Sequence, residues 1–301
     1  MAAEVSIVAV EGECGQRLDN FLLARMKGVP KSRIYRMVRR GEVRVNGARC
    51  RPGYRLKSGD RVRIPPFRGA VPRRDDGNGI PVNALESLRR GALYEDRNLL
   101  VLDKPGGVAV HGGSGIAFGV IETLRRHDPS TPFALVHRLD RDTSGCLAVA
   151  KNRRTLLALH AQLRAGVVRK RYDLVVAGHW PWRFRVVEKP LARYALASGE
   201  RRVRVRDDGE PSKTEFRVVS RLNDATWLAA FPRTGRTHQI RVHAAASGHP
   251  ILGDRKYARG ATQDHPRLFL HATELAFTLD GRPLRVTAPV PAEFENLHSG
   301  A

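Results

Sequence analysis

The sequence predicts an α+β protein with a mainly antiparallel, mixed sheet, preceded by a small α/β module at its N-terminus. The 301 residues are enough for two domains and at least one large core. Two short helical patterns and a hairpin signal come first, whereas strand patterns follow one another from Ala92 with few crossovers. A Pro-, Gly- and Arg-rich stretch lies between them, so we expect domains at 12–65 and 91–298 and a mobile linker at 66–90.

The N-terminal module opens with two predicted helices. Residues 17–27 place one apolar stripe on the first helix, formed by Leu18, Phe21 and Leu22. The second helix begins near Ser32, a good N-cap, and ends at Gly41. Its apolar side carries Ile34, Met37 and Val38, and its opposite side carries four arginines: Arg33, Arg36, Arg39 and Arg40.

A hairpin follows the second helix. Asn46-Gly47 is a strong signal for a tight turn, and residues 61–64 predict a later strand. Residues 1–65 hold 15 Lys and Arg against 6 Asp and Glu, a net charge of +9. The arginine face is therefore a candidate phosphate-contacting surface, and the alternative is an ordinary solvated helix face.

The larger domain is predicted mainly from alternating and apolar runs. Residues 99–102 form a short strand that ends in a turn at 103–107. Helices are expected at 120–127 and 153–165, the second buried through Leu156, Leu159 and Leu163. Strands are expected at 170–176, 201–206, 213–220, 226–231, 268–279 and 284–288, with a helix at 237–247 that ends at Gly248.

The charge of the chain points to a nucleic-acid partner. The net charge is +23, and cationic side chains displace the counterions condensed on phosphates. An anionic membrane is the alternative, but no apolar run approaches the ~20 residues of a spanning helix and no signal-peptide pattern is present. Three widely spaced cysteines predict reduced thiols in a cytoplasmic protein, and no motif predicts a metal or a cofactor.

The segment His-Arg-Leu-Asp-Arg-Asp-Thr-Ser-Gly at 137–145 is the centre of the functional prediction. Apolar runs flank it on both sides, so Asp140 is expected at the rim of a sheet. The neighbouring Arg138 and Arg141 favour the ionised carboxylate. A surface Asp–Arg cluster is the alternative interpretation.

This segment resembles the signature loop of the RluA-type pseudouridine synthases. Three further strings resemble the same family: Leu-Asp-Lys-Pro-Gly-Gly at 102–107, Arg-Lys-Arg-Tyr at 169–172 and Thr-Gly-Arg-Thr-His-Gln-Ile-Arg-Val-His at 234–243. Strings at 16–19, 43–47 and 59–62 resemble the S4 RNA-binding domain. The resemblance extends over residues 15–297, and the strings at 108–119 and 198–201 favour members that modify the large ribosomal subunit.

The resemblance implies the isomerisation of uridine to pseudouridine. The C1′–N1 bond breaks, the base turns, and C5 bonds to C1′, without a cofactor or metal. A base cannot turn inside a helix, so the target must be flipped out. The implied partner is 23S ribosomal RNA, free or in an assembling ribosomal particle, and we expect a monomer. Transfer RNA is the alternative substrate, and a non-catalytic RNA-binding factor in ribosome assembly is the alternative function.

The resemblance also implies roles for individual residues. Asp140 is the essential carboxylate, which either attacks C1′ or removes a 2′ proton, and Asp142 is the rival acid. Tyr172 is expected to stack on the target base. Arg241 is expected to pair with the catalytic carboxylate, with Arg236 as the competing candidate.

Further residues are given supporting roles by the same strings. Arg138 is expected to fill the gap that the flipped base leaves. His238 and His243 are interpreted as structural hydrogen-bonding residues. Lys104 is interpreted as a residue that fixes its loop or contacts phosphate.

Overall fold

A computed structural model describes residues 5–10, 14–26, 29, 31–67, 90–112, 118–198 and 200–299. The chain forms two compact units, Met1–Gly79 and Ile80–Ala301. The linker predicted at 66–90 lies almost wholly outside the described residues, so its predicted mobility stays a prediction. None of the described helices combines the length and the apolar character that crossing a bilayer requires.

The smaller unit contains a three-stranded antiparallel sheet and two helices. Its elements are β1 (Ser6–Ala9), α1 (Leu18–Arg25), α2 (Lys31–Arg40), β2 (Arg44–Val45) and β3 (Arg61–Ile64). The strands are ordered β1–β3–β2. Both predicted helices are confirmed, whereas β1 was not predicted.

The amphipathic prediction for α2 is confirmed. Its apolar residues Ile34, Met37 and Val38 are buried in the core that Leu18 and Phe21 of α1 share. The four arginines are exposed: Arg33, Arg36, Arg39 and Arg40. Burial of one side of α2 therefore presents a cationic side to solvent.

The tight turn at Asn46-Gly47 is also confirmed. Both residues have positive φ angles, 51° and 81°, as a two-residue turn with the twist of a hairpin requires. Val45 and Ala48 exchange backbone hydrogen bonds of 3.0 Å across the turn.

The larger unit contains most of the strands. Its strands are β4 (Ala92–Glu95), β5 (Leu99–Lys104), β6 (Ala134–Leu135), β7 (Ser144–Ala150), β8 (Arg169–Ala177), β9 (Val186–Glu188), β10 (Leu191–Ala195), β11 (Arg201–Val205), β12 (Lys213–Arg221), β13 (Ala225–Pro232), β14 (Leu270–Leu279) and β15 (Arg282–Thr287). Its helices are α3 (Val120–His127), α4 (Arg153–Arg164), α5 (Gln239–Ala246) and α6 (Ala292–Ser299), with 3₁₀ turns at Trp182–Phe184 and Gly260–Gln263.

The main sheet of the larger unit is mixed and mainly antiparallel, as predicted. Its ten strands follow the order β4-β5-β7-β14-β8-β13-β12-β9, with β15 on β14 and β6 on β7. Only the β7–β14 pair is parallel among the described pairs. β10 and β11 form a separate hairpin. Strand β5 continues through Lys104, so the predicted turn at 103–107 begins later, and β9, β10 and α6 were not predicted.

Pairing in the centre of the sheet positions the predicted site. His271 of β14 lies opposite both Ser144 of β7 and Asp173 of β8. The loop that precedes β7 therefore lies beside the middle of β8, although the two are about thirty residues apart in the chain. Burial holds β7 in the centre of the sheet, since every one of its residues is buried.

Candidate active site

A cleft of about 910 Å³ lies in the larger unit beside the centre of the sheet. Its walls come from the loop before β7, from β8 and from the segment between β13 and α5. Asp140, Tyr172, Arg241 and Arg138, which the sequence predicts as site residues, all line it. The cleft thus brings together residues from three separate motifs.

Asp140 is presented by a turn at the start of β7. The backbone N–H of Thr143 donates to the Asp140 carbonyl at 3.2 Å, and the neighbouring Leu139 is buried as an anchor. The turn leads directly into Gly145, whose φ is 103° and where a Cβ would overlap the backbone of Ala272 in β14. Only glycine permits this close approach of β7 and β14. The Asp140 side chain is 20% exposed, within reach of a substrate in the cleft.

Arg241 of α5 joins Asp140 to a second carboxylate. Its Nη1 donates to Asp140 Oδ2 at 3.1 Å, while Nε and Nη2 donate to Asp254 Oδ2 and Oδ1 at 2.8 and 2.7 Å. Asp254 is fully buried and Arg241 is 3% exposed. Burial alone would lower the pKa of Arg241, but the hydrogen bonds to Asp254 and the charges of both carboxylates raise it. A permanent cation therefore contacts Asp140 and fixes the orientation of its carboxylate.

Asp254 was missed as a site residue by the sequence reasoning. Its Oδ1 also accepts the backbone N–H groups of Lys256 and Tyr257, at 2.9 and 3.1 Å. The carboxylate therefore fixes both the Arg241 guanidinium and the following loop. The available signal was the family-like run at 248–257, which carries no spacing that identifies an arginine partner.

Tyr172 lies on β8, in register with Ala230 of β13. It packs against two of the hydrophobic clusters of the larger unit and also lines the cleft. Burial, together with the charge of Asp140, raises the pKa of Tyr172 above its ordinary value. The side chain is therefore a neutral phenol with a flat ring on the wall of the cleft.

His238 lies immediately before α5 and close to Asp140. Its backbone has φ 54° and ψ 18°, in the left-handed region. Its Nδ1 lies 2.7 Å from the Tyr257 hydroxyl and its Nε2 lies 3.8 Å from Asp140 Oδ2. The interpretation as a hydrogen-bonding residue holds for the contact with Tyr257, but it omits the contact with Asp140. His243 fits it fully, since its ring contacts the Ser212 and Thr214 hydroxyls.

The rival candidates lie in other environments. Asp142 pairs with the exposed Arg141 at 3.1 Å and is not among the residues that line the cleft. Arg236 reaches the rim of the cleft but pairs with Glu210 at 2.5 Å. Asp140 and Arg241 thus form the pair at the cleft.

Lys104 fixes the loops beneath the cleft. It is fully buried, and its Nζ donates to the carbonyl groups of Pro105, Val108 and Arg141 at 2.7, 2.8 and 3.0 Å. Three carbonyl acceptors satisfy the three donors of an ammonium group. The interpretation as a loop-fixing residue is consistent with this geometry, whereas a phosphate contact is wrong because the group is not accessible.

The rest of the cleft wall is strongly cationic. Cations greatly outnumber the acidic residues Asp140, Glu215 and Glu274 along it. They are Arg138, Arg169, Lys170, Arg171, Arg217, Arg233, Arg236, Arg241 and Arg285. Such a wall attracts a polyanion. Within the described ranges, no group of three His, Cys, Asp or Glu residues is arranged to hold a metal ion.

Two family models match the chain. A model described as RNA pseudouridylate synthase matches residues 98–246, and a model of the S4 domain matches residues 16–62. The first range contains Asp140, Tyr172 and Arg241, and the second contains the arginine face of α2.

Curated relatives match nearly the full length. A protein of Pasteurella multocida (strain Pm70) is 49% identical over 95% of this chain and 90% of its own length. A protein of Escherichia coli (strain K12) is 50% identical over 95% of this chain and 93% of its own. Both are named ribosomal large subunit pseudouridine synthase C. The resemblance inferred from the sequence strings is confirmed.

Solved structures support the fold. Human RNA pseudouridylate synthase domain containing 1 superimposes with a TM-score of 0.60 at 27% identity, over 69% of this chain and 86% of its own. Human RNA pseudouridylate synthase domain containing 4 has a TM-score of 0.60 at 25% identity, over 71% and 94%.

Proposed function

We propose that this chain, which belongs to the RNA pseudouridylate synthase family, converts specific uridines to pseudouridine in the RNA of the large ribosomal subunit. The relatives that are about half identical over almost the whole chain support this choice of substrate. The observation that carries the assignment of the site is the ion pair of Asp140 with the buried Arg241 in a cationic cleft.

Asp140 is the proposed catalytic residue. The isomerisation breaks the C1′–N1 bond, turns the base and joins C5 to C1′. C5 then releases its proton and N1 takes one up, so the product is an isomer of the substrate. A carboxylate that acts on the ribose must be held at a fixed angle. The Arg241 guanidinium holds it, because the guanidinium is itself anchored by two hydrogen bonds to Asp254.

Tyr172 and Arg138 are proposed to hold the flipped nucleotide and its surroundings. The neutral ring of Tyr172 offers a stacking surface beside Asp140, and stacking on a base is worth about 1–3 kcal/mol. Arg138 is exposed two residues before the catalytic carboxylate. Its proposed role is to enter the position in the RNA helix that the flipped base leaves.

The smaller unit is proposed to bind RNA through α2. Its four exposed arginines lie on the side opposite the buried core, and this unit matches the S4 domain. Phosphate contacts of this kind position the protein without reading bases. The proposed substrate is ribosomal RNA, free or in an assembling particle, the proposed state is a monomer, and the proposed location is the cytoplasm.

The test is the release of tritium from RNA labelled at uridine C5, because C5 loses its hydrogen when it bonds to C1′. The substrates are transcripts of large-subunit ribosomal RNA, assembling large-subunit particles and transfer RNA transcripts. We expect release from the first or second, and no release with Asp140→Asn. Release from transfer RNA alone would replace the proposed substrate, and equal release by the variant would remove Asp140 from its role.

A further inference from the structure

A second contact to the catalytic carboxylate comes from His238. Arg241 Nη1 and His238 Nε2 lie 3.1 and 3.8 Å from the same atom, Asp140 Oδ2. The longer distance exceeds that of a hydrogen bond, but contacts to catalytic groups often tighten only when substrate binds. Two nitrogen atoms, one of them a hydrogen-bond donor, thus lie close to one oxygen of Asp140.

The backbone of His238 is held in an uncommon conformation. A φ of 54° places it in the left-handed region, which residues other than glycine adopt rarely. Such conformations persist where surrounding structure imposes them, and they cluster at functional sites. Here the conformation ends the loop and begins α5, so that the ring of His238 and the guanidinium of Arg241 both reach Asp140.

The environment of the ring selects one tautomer. The Tyr257 oxygen already accepts the backbone N–H of Val203 at 3.0 Å, and it lies 2.7 Å from His238 Nδ1. If Nδ1 carried the hydrogen, the Nε2 lone pair would face the Asp140 carboxylate. If the Tyr257 O–H donates to Nδ1 instead, Nε2 carries the hydrogen and directs it at Asp140. The second arrangement pairs every donor with an acceptor.

The ring also remains uncharged in this position. Burial lowers the pKa of His238, and the charges of Arg241 and Lys256 lower it further, while those of Asp140 and Asp254 oppose them. A neutral ring has one N–H, so the hydrogen bond from Tyr257 decides which nitrogen carries it. Tyr257 is itself fixed by its backbone N–H to Asp254, the residue that also holds Arg241.

We infer that His238 is a positioning residue for Asp140 and that Tyr257 sets its tautomer. The inference rests on the proposed function, because it assigns the pair to the isomerisation step. Tyr257 and His238 orient the carboxylate through Nε2–H, and Arg241 supplies the charge. Asp254 holds both partners, because its carboxylate accepts hydrogen bonds from the Arg241 guanidinium and from the Tyr257 backbone N–H.

The tautomer is measured directly by ¹⁵N NMR of histidine-labelled protein. We expect the wild-type His238 resonances to show hydrogen on Nε2, and Tyr257→Phe to show hydrogen on Nδ1 or a mixture. Hydrogen on Nδ1 in the wild type would overturn the inference. This measurement needs no substrate, so it remains decisive even if no RNA is isomerised, an outcome that would defeat the proposed function instead.

Kinetics on the RNA that the wild type modifies test the role. We expect His238→Asn and Tyr257→Phe each to lower kcat about tenfold, equivalent to about 1.4 kcal/mol, with KM changed less than about twofold. Because both act through one hydrogen-bonded chain, the double variant is expected to lose no more than either single variant. A kcat within twofold of wild type in both single variants, or losses that multiply in the double variant, would overturn the inference.

Stability separates a positioning role from a structural one. Asparagine tolerates the left-handed region, so His238→Asn is expected to keep the melting temperature of the wild type while it loses activity. The matched control is His243→Asn, in the helix α5 that begins directly after His238. His243 is fully buried between two hydroxyl groups and does not contact Asp140. The control should lose stability, with kcat of the folded protein unchanged. The reverse pattern would assign His238 to the fold alone.

Discussion

The pair of Arg241 and Asp254 allows stability and activity to be separated. Arg241→Gln leaves the fully buried Asp254 without its cation, and breaking a buried ion pair costs about 3–5 kcal/mol. Arg241→Gln/Asp254→Asn replaces both charges by neutral groups that can still hydrogen-bond. We expect this double variant to recover a free energy of unfolding within about 2 kcal/mol of the wild type, because neutral replacements of a buried pair are often tolerated.

Activity should not recover with stability. In both variants Asp140 has lost the guanidinium that approaches its Oδ2 at 3.1 Å. A hydrogen bond to a charged group is worth about 1.5–3 kcal/mol, so we expect kcat to fall about 10- to 150-fold in the single and in the double variant.

Urea denaturation followed by tryptophan fluorescence measures the first quantity. The three tryptophans, Trp180, Trp182 and Trp227, all belong to the larger unit, so the signal reports on the unit that carries the cleft. Tritium release from RNA measures the second. If the double variant regains activity together with stability, the pairing of Arg241 with Asp140 does not matter for the reaction.

Three further predictions concern other parts of the chain. Tyr172→Phe should keep kcat/KM within about threefold and Tyr172→Leu should lower it about 5- to 150-fold, because the ring rather than the phenol provides stacking; equal losses would refute this. Burial lowers the pKa of His271 to about 4, so the unfolded chain binds the proton first as pH falls. Between about pH 7 and about pH 4.5 the wild type should lose about 2–3 kcal/mol more stability than His271→Gln, in urea titrations at each pH. Reversing the charges of Arg33, Arg36 and Arg40 should weaken RNA binding and flatten its salt dependence without unfolding the protein, and unchanged slopes of affinity against salt would exclude α2 as an RNA contact.

The fold was predicted where local signals are strong. The helix α2 has an apolar stripe and a glycine directly after its last residue, and the turn at Asn46-Gly47 has the residues that positive φ angles demand. The predicted N-cap is wrong by position, because the helix begins at Lys31 and Ser32 lies in its first turn. Strand β9 has three residues, and its partner β12 is distant in sequence. Residues of β9 form a strand because they pair with β12, and periodicity within one segment does not reveal such a partner.

The sequence also predicted those residues of the candidate site that belong to strong local motifs. Asp140, Tyr172 and Arg241 belong to long strings whose combination is specific, and the cleft contains all three. Asp254 and Tyr257 were missed because their roles arise from contacts with Arg241 and His238, which lie 13 and 19 residues earlier in the chain. A carboxylate that will be buried against an arginine has the same sequence appearance as one on the surface.

The difference between the predicted cleft residues and the missed residues that hold them has a physical origin. Groups proposed to act on RNA, such as Asp140, must be accessible, and their chemistry restricts them to few residue types. The groups that hold them are buried, and their requirement is a partner at the right distance, which only the folded chain supplies. The Asp254 carboxylate is one of these buried holding groups. It anchors Arg241 through two hydrogen bonds and the Tyr257 backbone through a third. Displacement of this one buried carboxylate should therefore disturb both contacts to Asp140 together, whereas loss of His238 should disturb only one.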